Sequence, residues 1–106
     1  MHRRTFGEAV ATLRRERGLT QKELASRIRR DESKAISPQY LNDIEHDRRR
    51  PLSENFIAAV ADALEADPAY LTYMAGQFPL ELRELQLDEE QLRIAIQAFR
   101  RATLDG

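Results

Sequence analysis

The side chains best suited to chemistry in this sequence lie in residues 35–50, AISPQYLNDIEHDRRR. Hydroxyl, amide and carboxylate groups stand close together there, and three consecutive arginines follow them. Such groups donate and accept hydrogen bonds and bind anions. No nucleophile motif, phosphate loop or catalytic triad accompanies them, so the pattern predicts a binding protein and not an enzyme.

The backbone of this stretch is expected to form a helix with a definite start. A proline inside a helix removes a hydrogen-bond donor and clashes with the preceding turn, so Pro38 has to occupy the first turn. Ser37 then becomes the N-cap. Ile36 precedes the cap and Leu41 lies four residues after it, which is the spacing of a hydrophobic staple.

Similar helix starts recur along the chain. The other capping residues, some of them with an acid or amide three positions on, are Thr5, Thr20, Ser53, Asp67 and Asp88. Behind each cap the apolar residues recur at the helical period, and no stretch alternates as a strand does. The sequence therefore predicts an all-α protein in which five short helices, ending near Met74, surround one core.

Composition narrows the possible partners. Residues 1–50 hold 13 basic and 8 acidic residues, a net of +5, whereas residues 51–106 hold 4 and 10, a net of −6. This asymmetry suggests that one face meets a polyanion, and a chance distribution of solvated charges is the alternative. No apolar run approaches the roughly 20 residues that cross a bilayer. The absence of cysteine suits the cytoplasm. His2 and His46 lack partners at metal-ligand spacing, so no metal or other cofactor is expected.

Two segments resemble the helix-turn-helix of Cro-like and lambda-repressor-like regulators from bacteria and phages. They are LTQKELA, residues 19–25, and ISPQYLNDIE, residues 36–45. ALEADPAYL, residues 63–71, is similar to the segment that leads into the fifth helix of such proteins. The resemblance covers about residues 5 to 75, and it implies a five-helix DNA-binding domain within residues 1–77.

The resemblance also implies which residues would contact double-stranded DNA. A recognition helix that starts at Pro38 would enter the major groove by its N-terminal end, where glutamine and asparagine can pair with adenine and aspartate with cytosine. The expected base-reading residues are Ser37, Gln39, Tyr40, Asn42 and Asp43. The expected phosphate-binding residues are Arg14, Gln21, Lys22, Lys34, Arg48, Arg49 and Arg50. For Tyr40, half-buried packing is an equally good expectation.

Two features depart from the family pattern. Pro38 occupies a position where many relatives carry a base-contacting side chain. The segment Arg29–Ala35 intervenes where relatives have a tight turn, so either the second helix is extended or a short loop projects. The three basic residues of this insert could add a phosphate contact, and a solvated loop with no role is the alternative.

Residues 78–106 form a C-terminal extension with one further capped helix, expected from Asp88 to about Thr103. Leu92, Ile96 and Phe99 lie on one stripe of that helix, which has to be covered. Folding back onto the same chain is one possibility. We expect self-association through these three residues instead, because a dimer adds a second half-site to the few base pairs that one helix reads.

Together these observations predict a sequence-specific DNA-binding transcriptional regulator, a repressor acting as a homodimer. The alternative is a protein-interaction module on the same fold, such as an antitoxin or a coactivator-like protein with a protein partner.

Overall fold

The computed structural model describes residues 4–30, 34–50 and 53–104. Within these residues the chain is helical, and the one β feature is an isolated antiparallel bridge between Arg29 and Ala35. The helices are α1 (Phe6–Glu16), α2 (Gln21–Arg27), α3 (Pro38–Glu45), α4 (Glu54–Leu64), α5 (Pro68–Met74), α6 (Leu80–Arg83) and α7 (Glu89–Leu104). The all-α prediction is confirmed, and the short α6 is an element that the sequence analysis missed.

The helices begin where the capping residues predicted. Thr5 and Thr20 each form a complete capping box, and the side chains of Ser37, Ser53 and Asp67 each accept a hydrogen bond from a first-turn N–H. At the start of α2, hydrogen bonds from the Thr20 backbone and hydroxyl lower the pKa of the Glu23 carboxyl. Local sequence therefore fixes the start of these five helices.

The core lies among α1 to α5. Buried apolar side chains from these helices and from the segment before α3 form one cluster. Its largest fully buried members are Val10, Leu24, Ile28, Leu41, Ile44, Ile57, Val60, Leu64 and Leu71. Helix α3 packs against both α1 and α2, and α4 packs against α5. The recognition helix expected from sequence is therefore held by its apolar side against two other helices.

The first turn of α1 makes an unusually close approach to the end of α3. A Cβ on Gly7 would lie 2.4 Å from the backbone oxygen of Ile44 and 2.6 Å from that of Glu45. Asp47, with a φ of 59°, stands just beyond α3 and accepts hydrogen bonds from the Gly7 N–H at 3.0 Å and the Thr5 hydroxyl at 2.6 Å. Only glycine fits this contact without displacing backbone.

The insert between α2 and α3 is a loop and not an extension of α2. Helix α2 ends at Arg27, and the residues on either side of the insert then pair through an antiparallel bridge between Arg29 and Ala35. The Arg30 N–H donates to the Lys34 carbonyl at 2.8 Å, and the Ile36 N–H donates to the Ile28 carbonyl at 3.1 Å. These bonds close the base of the loop directly before the N-cap of α3. Residues 31–33, between Arg30 and Lys34 in sequence, lie outside the described part of the chain.

The C-terminal extension contains α6 and α7. Arg83 of α6 forms an ion pair with Glu54 of α4. Helix α7 starts after a reciprocal pair of hydrogen bonds between Asp88 and Gln91, as the sequence predicted, and none of its described residues is buried. Leu92 remains 47% exposed and Phe99 53% exposed. Ile96, between them on the stripe, is half-buried, so the stripe is only partly covered within this chain.

An apolar groove of about 540 Å³ separates α7 from the end of α5 and from α6. Ten side chains line it, nine of them aliphatic or aromatic and one an arginine: Tyr73, Phe78, Leu82, Arg83, Leu85, Leu87, Leu92, Ala95, Ile96 and Phe99. The three residues expected to mediate self-association are all among them. In the part of the chain that the structure describes, no helix is long and apolar enough to cross a bilayer.

Candidate nucleic-acid interface

Helix α3 has one apolar side and one polar side. Leu41 and Ile44 are fully buried, while Ser37 and Gln39 are exposed and Asn42 is half-buried. The Ser37 hydroxyl accepts the Tyr40 N–H at 3.0 Å, which closes the first turn, and Pro38 occupies the first helical position. The N-terminal turn of α3 therefore presents hydrogen-bonding side chains on a firmly capped backbone.

A buried acid ties α3 to the two helices before it. The Glu45 carboxylate, 3% exposed, receives Arg14 Nε of α1 at 2.6 Å and Arg14 Nη2 at 3.0 Å. Arg14 Nη1 donates to the Leu19 carbonyl at 2.9 Å, and the Arg14 side chain is only 11% exposed. A bidentate pair of this kind fixes both distance and angle. Arg14 therefore sets the position of α3, a structural role that the sequence analysis did not foresee.

Gln21 joins the same network from α2. Its amide nitrogen donates to Asn42 Oδ1 at 3.1 Å and to Glu45 Oε1 at 3.0 Å, which uses both amide hydrogens. A side-chain contact from Gln21 to a phosphate, as expected from sequence, would require one of these bonds to be given up. The hydrogen bond from Gln21 also fixes the Asn42 amide on the face of α3 nearest α2. The phosphate contacts of Arg14 and Gln21 remain predictions.

A second polar chain runs along the exposed side of α3. Gln39 Nε2 donates to Asp43 Oδ1 at 3.1 Å, one helical turn away. Arg48 Nη1 lies 3.5 Å from Asp43 Oδ1, and Arg49 Nε lies 3.7 Å from Asp43 Oδ2. These pairs are partly exposed and each contributes little to stability. They do hold the arginine run beside the end of α3, where Arg48, Arg49 and Arg50 are all exposed.

Tyr40 takes a position different from that of its polar neighbours. It is half-buried, and its ring meets the ring of Phe56 edge-on, with centroids 6.0 Å apart and an interplanar angle of 60°. The Cζ atoms of Arg30 and Arg49 lie 5.1 Å and 4.5 Å from the centroid of the Tyr40 ring. Of the two expectations for this residue, the structure supports half-buried packing. The role of its ring in base reading remains a prediction.

Lys22 on α2 and Lys34 before α3 are exposed, and both belong to segments that flank the start of α3. The contacts along α3 bring Gln39, Asp43, Arg48 and Arg49 together, and the DNA contacts of both lysines and of Arg50 remain predictions. Among the described residues, no group of three or more histidines, aspartates or glutamates is arranged to hold a metal ion. His2 lies outside the described residues.

Two features of this region were missed by sequence reasoning. The first is the acid Glu45, which follows Leu41 by four residues and so falls on the buried side of α3. A carboxylate at such a position needs a cation, and the helical spacing alone could have signalled it. The second is the contact of Arg30 and Arg49 with the Tyr40 ring, which no sequence pattern predicts because the three residues are far apart along the chain.

Comparison with known proteins agrees with this geometry. A family model described as a helix-turn-helix domain matches residues 5–72, and the chain belongs to that family. The protein is similar to the HTH-type transcriptional regulator RamB of Mycobacterium tuberculosis, from strains CDC 1551 / Oshkosh and ATCC 25618 / H37Rv. The identity is 38% over an alignment of 100 residues, which covers 91% of this chain and 19% of RamB. The chain thus spans about a fifth of the length of these relatives.

Among solved structures, the chain is similar to the clp gene regulator ClgR from C. glutamicum. The TM-score is 0.54 and the sequence identity 34%, with coverage of 67% of this chain and 83% of that one. The resemblance of residues 19–25 and 36–45 to Cro-like helix-turn-helix regulators is therefore confirmed. RamB is a transcriptional regulator, and ClgR is a gene regulator.

Proposed function

We propose that this protein is a sequence-specific double-stranded DNA-binding transcriptional regulator, with α3 as its recognition helix. The observation that carries the proposal is the two-sided build of α3. Its apolar side is locked to α1 and α2 through Leu41, Ile44 and the Arg14–Glu45 pair, while Ser37 and Gln39 stay exposed at its N-terminal turn. A helix held in this way can enter a major groove without losing its orientation.

In this proposal the polar residues of α3 contact bases, and the cations around the helix contact phosphates. Gln39 and Asp43, joined by a hydrogen bond of 3.1 Å, would meet base edges as a pair, with Ser37 and Asn42 beside them. Lys22, Lys34 and the arginine run would contact phosphates on either side of the groove. Phosphate contacts release counterions, so affinity should fall steeply with salt although the net charge is −1.

We propose further that the protein acts as a homodimeric repressor. The exposed α7 stripe and the apolar groove support dimerisation, because a contiguous apolar surface of this kind marks an interaction site. Two copies related by a two-fold axis would place two recognition helices on two half-sites. The resemblance to lambda-repressor-like proteins supports repression, in which the bound dimer would block access to a promoter.

Selection of bound duplexes from random DNA tests this function. The expected result is enrichment of a palindrome whose half-sites lie one helical turn apart, about 10 base pairs centre to centre. A reporter gene placed behind that palindrome should then be less active when the protein is present. Binding without any enriched sequence would contradict sequence-specific regulation, and an enriched single half-site would contradict the dimer.

A second candidate is a protein-interaction module, such as an antitoxin or a coactivator-like protein. The observation in its favour is the same groove, which a helix from another protein could occupy. Co-purification with one partner at a fixed ratio, together with failure of the DNA selection, would favour this alternative.

A further inference from the structure

The Tyr40 ring joins two basic segments that are far apart in sequence. Arg30 comes from the insert loop, and Arg49 follows α3. Both guanidinium carbons lie within 5.1 Å of the same ring centroid, so the two cations meet at one aromatic side chain. The edge contact with Phe56 of α4 fixes the ring itself. The insert is therefore docked on the recognition helix through an aromatic side chain.

Two neighbouring cations repel each other unless other groups compensate. The face of an aromatic ring attracts a guanidinium, which offsets part of the repulsion. Asp43 lies 3.7 Å from Arg49, but the same carboxylate is also 3.5 Å from Arg48. One carboxylate is thus shared between two arginines while a third approaches the ring. Among the described residues around the ring, the arginines outnumber this carboxylate, and such an excess of positive charge favours a bound anion.

A concavity of about 260 Å³ opens beside the ring. Arg29, Arg30 and Tyr40 line one part of it, and Ser53, Asn55 and Phe56 at the start of α4 line the other. The Ser53 hydroxyl oxygen accepts the Phe56 N–H at 3.0 Å, which leaves the hydroxyl hydrogen available to donate. Guanidinium, amide and hydroxyl donors thus border one space, and this donor set suits a phosphate oxygen.

We infer that Tyr40 is a positioning residue that holds Arg30 and Arg49 as a pair against the DNA backbone beside the recognition helix. The inference rests on the proposed DNA-binding function and deepens it. It gives the insert a role, because the loop supplies one cation of the pair. In this arrangement the ring of Tyr40 matters and its hydroxyl does not, and the pair strengthens binding to every sequence without reading any base.

The test compares Tyr40→Leu, Tyr40→Phe and the unmodified protein on a selected duplex and on a shuffled duplex, each over a series of salt concentrations. Tyr40→Leu should weaken binding to both duplexes by a similar factor, about fivefold to fiftyfold. It should also reduce the slope of log affinity against log salt by about 1 to 2, as expected when one or two phosphate contacts are lost. Tyr40→Phe should restore both affinity and slope, because it keeps the ring.

A double-mutant cycle excludes a general loss of structure. Arg30→Gln should weaken binding in the unmodified protein and have a much smaller effect in the Tyr40→Leu background. If Tyr40→Leu does not fold, the cycle of Arg30→Gln with Arg49→Gln replaces it, and these two changes should be non-additive in affinity. Arg100→Gln on α7, an exposed arginine away from this site, is the matched control and should leave the slope unchanged.

Several outcomes would overturn the inference. They are an altered base preference with an unchanged salt slope in Tyr40→Leu, additive effects in the cycle, or no recovery with phenylalanine. Failure of the proposed function looks different, because the unmodified protein would then show no preference for the selected duplex. A normal preference combined with additive effects would remove only the role of Tyr40.

Discussion

The Glu45 carboxylate is bound by side chains from two other helices, Arg14 of α1 and Gln21 of α2. A buried charge is costly unless it is paired and hydrogen-bonded, and a pair that loses one partner leaves the other uncompensated. The network therefore makes the orientation of α3 depend on the integrity of one ion pair. It also explains why an acid can occupy the buried side of an otherwise apolar helix.

Glu45→Ala is expected to reduce the free energy of unfolding by about 3–5 kcal/mol, since it strands the largely buried Arg14 guanidinium. The single variants Arg14→Met and Glu45→Met should each lose more stability than the double variant Arg14→Met/Glu45→Met, because no unpaired charge remains in the double variant. Urea denaturation followed by circular dichroism measures all of these variants. Equal and additive losses would show that the pair is not coupled.

In the proposed interface, different side chains recognise bases and contact phosphates. Gln39→Ala should cost about 1–3 kcal/mol at the selected site and relax the preference at one base pair. Arg48→Ala should weaken binding to selected and random duplexes alike and lower the salt slope by about 0.9. Fluorescence anisotropy on both duplexes at several salt concentrations distinguishes the two effects. The same response from both variants would mean that α3 meets DNA in another orientation.

At the scale of elements, the first turn of α1 and the end of α3 are in direct backbone contact at Gly7. Alanine normally stabilises a helix relative to glycine by about 1 kcal/mol. Here the added methyl group would meet two backbone oxygens, which cannot move without shifting α3. Replacing Gly7 by alanine should therefore destabilise the protein, although glycine-to-alanine changes in helices usually stabilise.

Gly7→Ala is expected to lower the free energy of unfolding by about 1–3 kcal/mol, which is the usual cost of overpacking. Ala58→Gly, at an exposed position of α4, is the control for helix propensity and should cost about 1 kcal/mol through the backbone alone. Thermal unfolding of the two variants provides the comparison. A gain in stability from Gly7→Ala would show that α1 and α3 can move apart at this contact.

The elements differ in how far the sequence could predict them. The starts of α1 to α5 and of α7 follow from capping residues, which act within a single turn, so the sequence specifies them. Helix α6 has only four residues, too few for a periodic pattern to develop. The sequence did not decide between a loop and a longer α2 for the insert. The backbone hydrogen bonds that close the base of the loop, between residues 28 and 36 and between residues 30 and 34, have no local sequence pattern. The Arg30, Tyr40 and Arg49 contact depends on that closure.

At the scale of the whole molecule, the five-helix core and α7 are built differently. The core buries its apolar side chains internally, whereas the stripe of α7 lines a groove of about 540 Å³ with Leu92 and Phe99 exposed and Ile96 half-buried. Because α7 contributes no buried residue to the core, changes on its stripe should affect assembly more than folding.

The double variant Leu92→Glu/Phe99→Glu is expected to be monomeric in sedimentation and to keep the thermal stability of the core. If α7 joins two copies, operator affinity should fall about a hundredfold or more, because the second half-site is no longer bound within one assembly. Gln97→Glu adds the same kind of charge beside the stripe and serves as the control. A parent protein that sediments as a monomer at micromolar concentration would contradict dimerisation through α7.

The network around Glu45 also bears on how binding preference could be redesigned. Asn42 is tied to Gln21, whereas Ser37 and Gln39 have no contact with the Arg14–Glu45 pair. A library that randomises position 39, and position 37 among residues able to cap a helix, would leave the anchoring of α3 intact. A change at position 42 removes an acceptor of the Gln21 amide, so it is best combined with a change at position 21. Directed evolution of new operator preferences should therefore begin at position 39, whose side chain is exposed and neither caps the helix nor packs into the core.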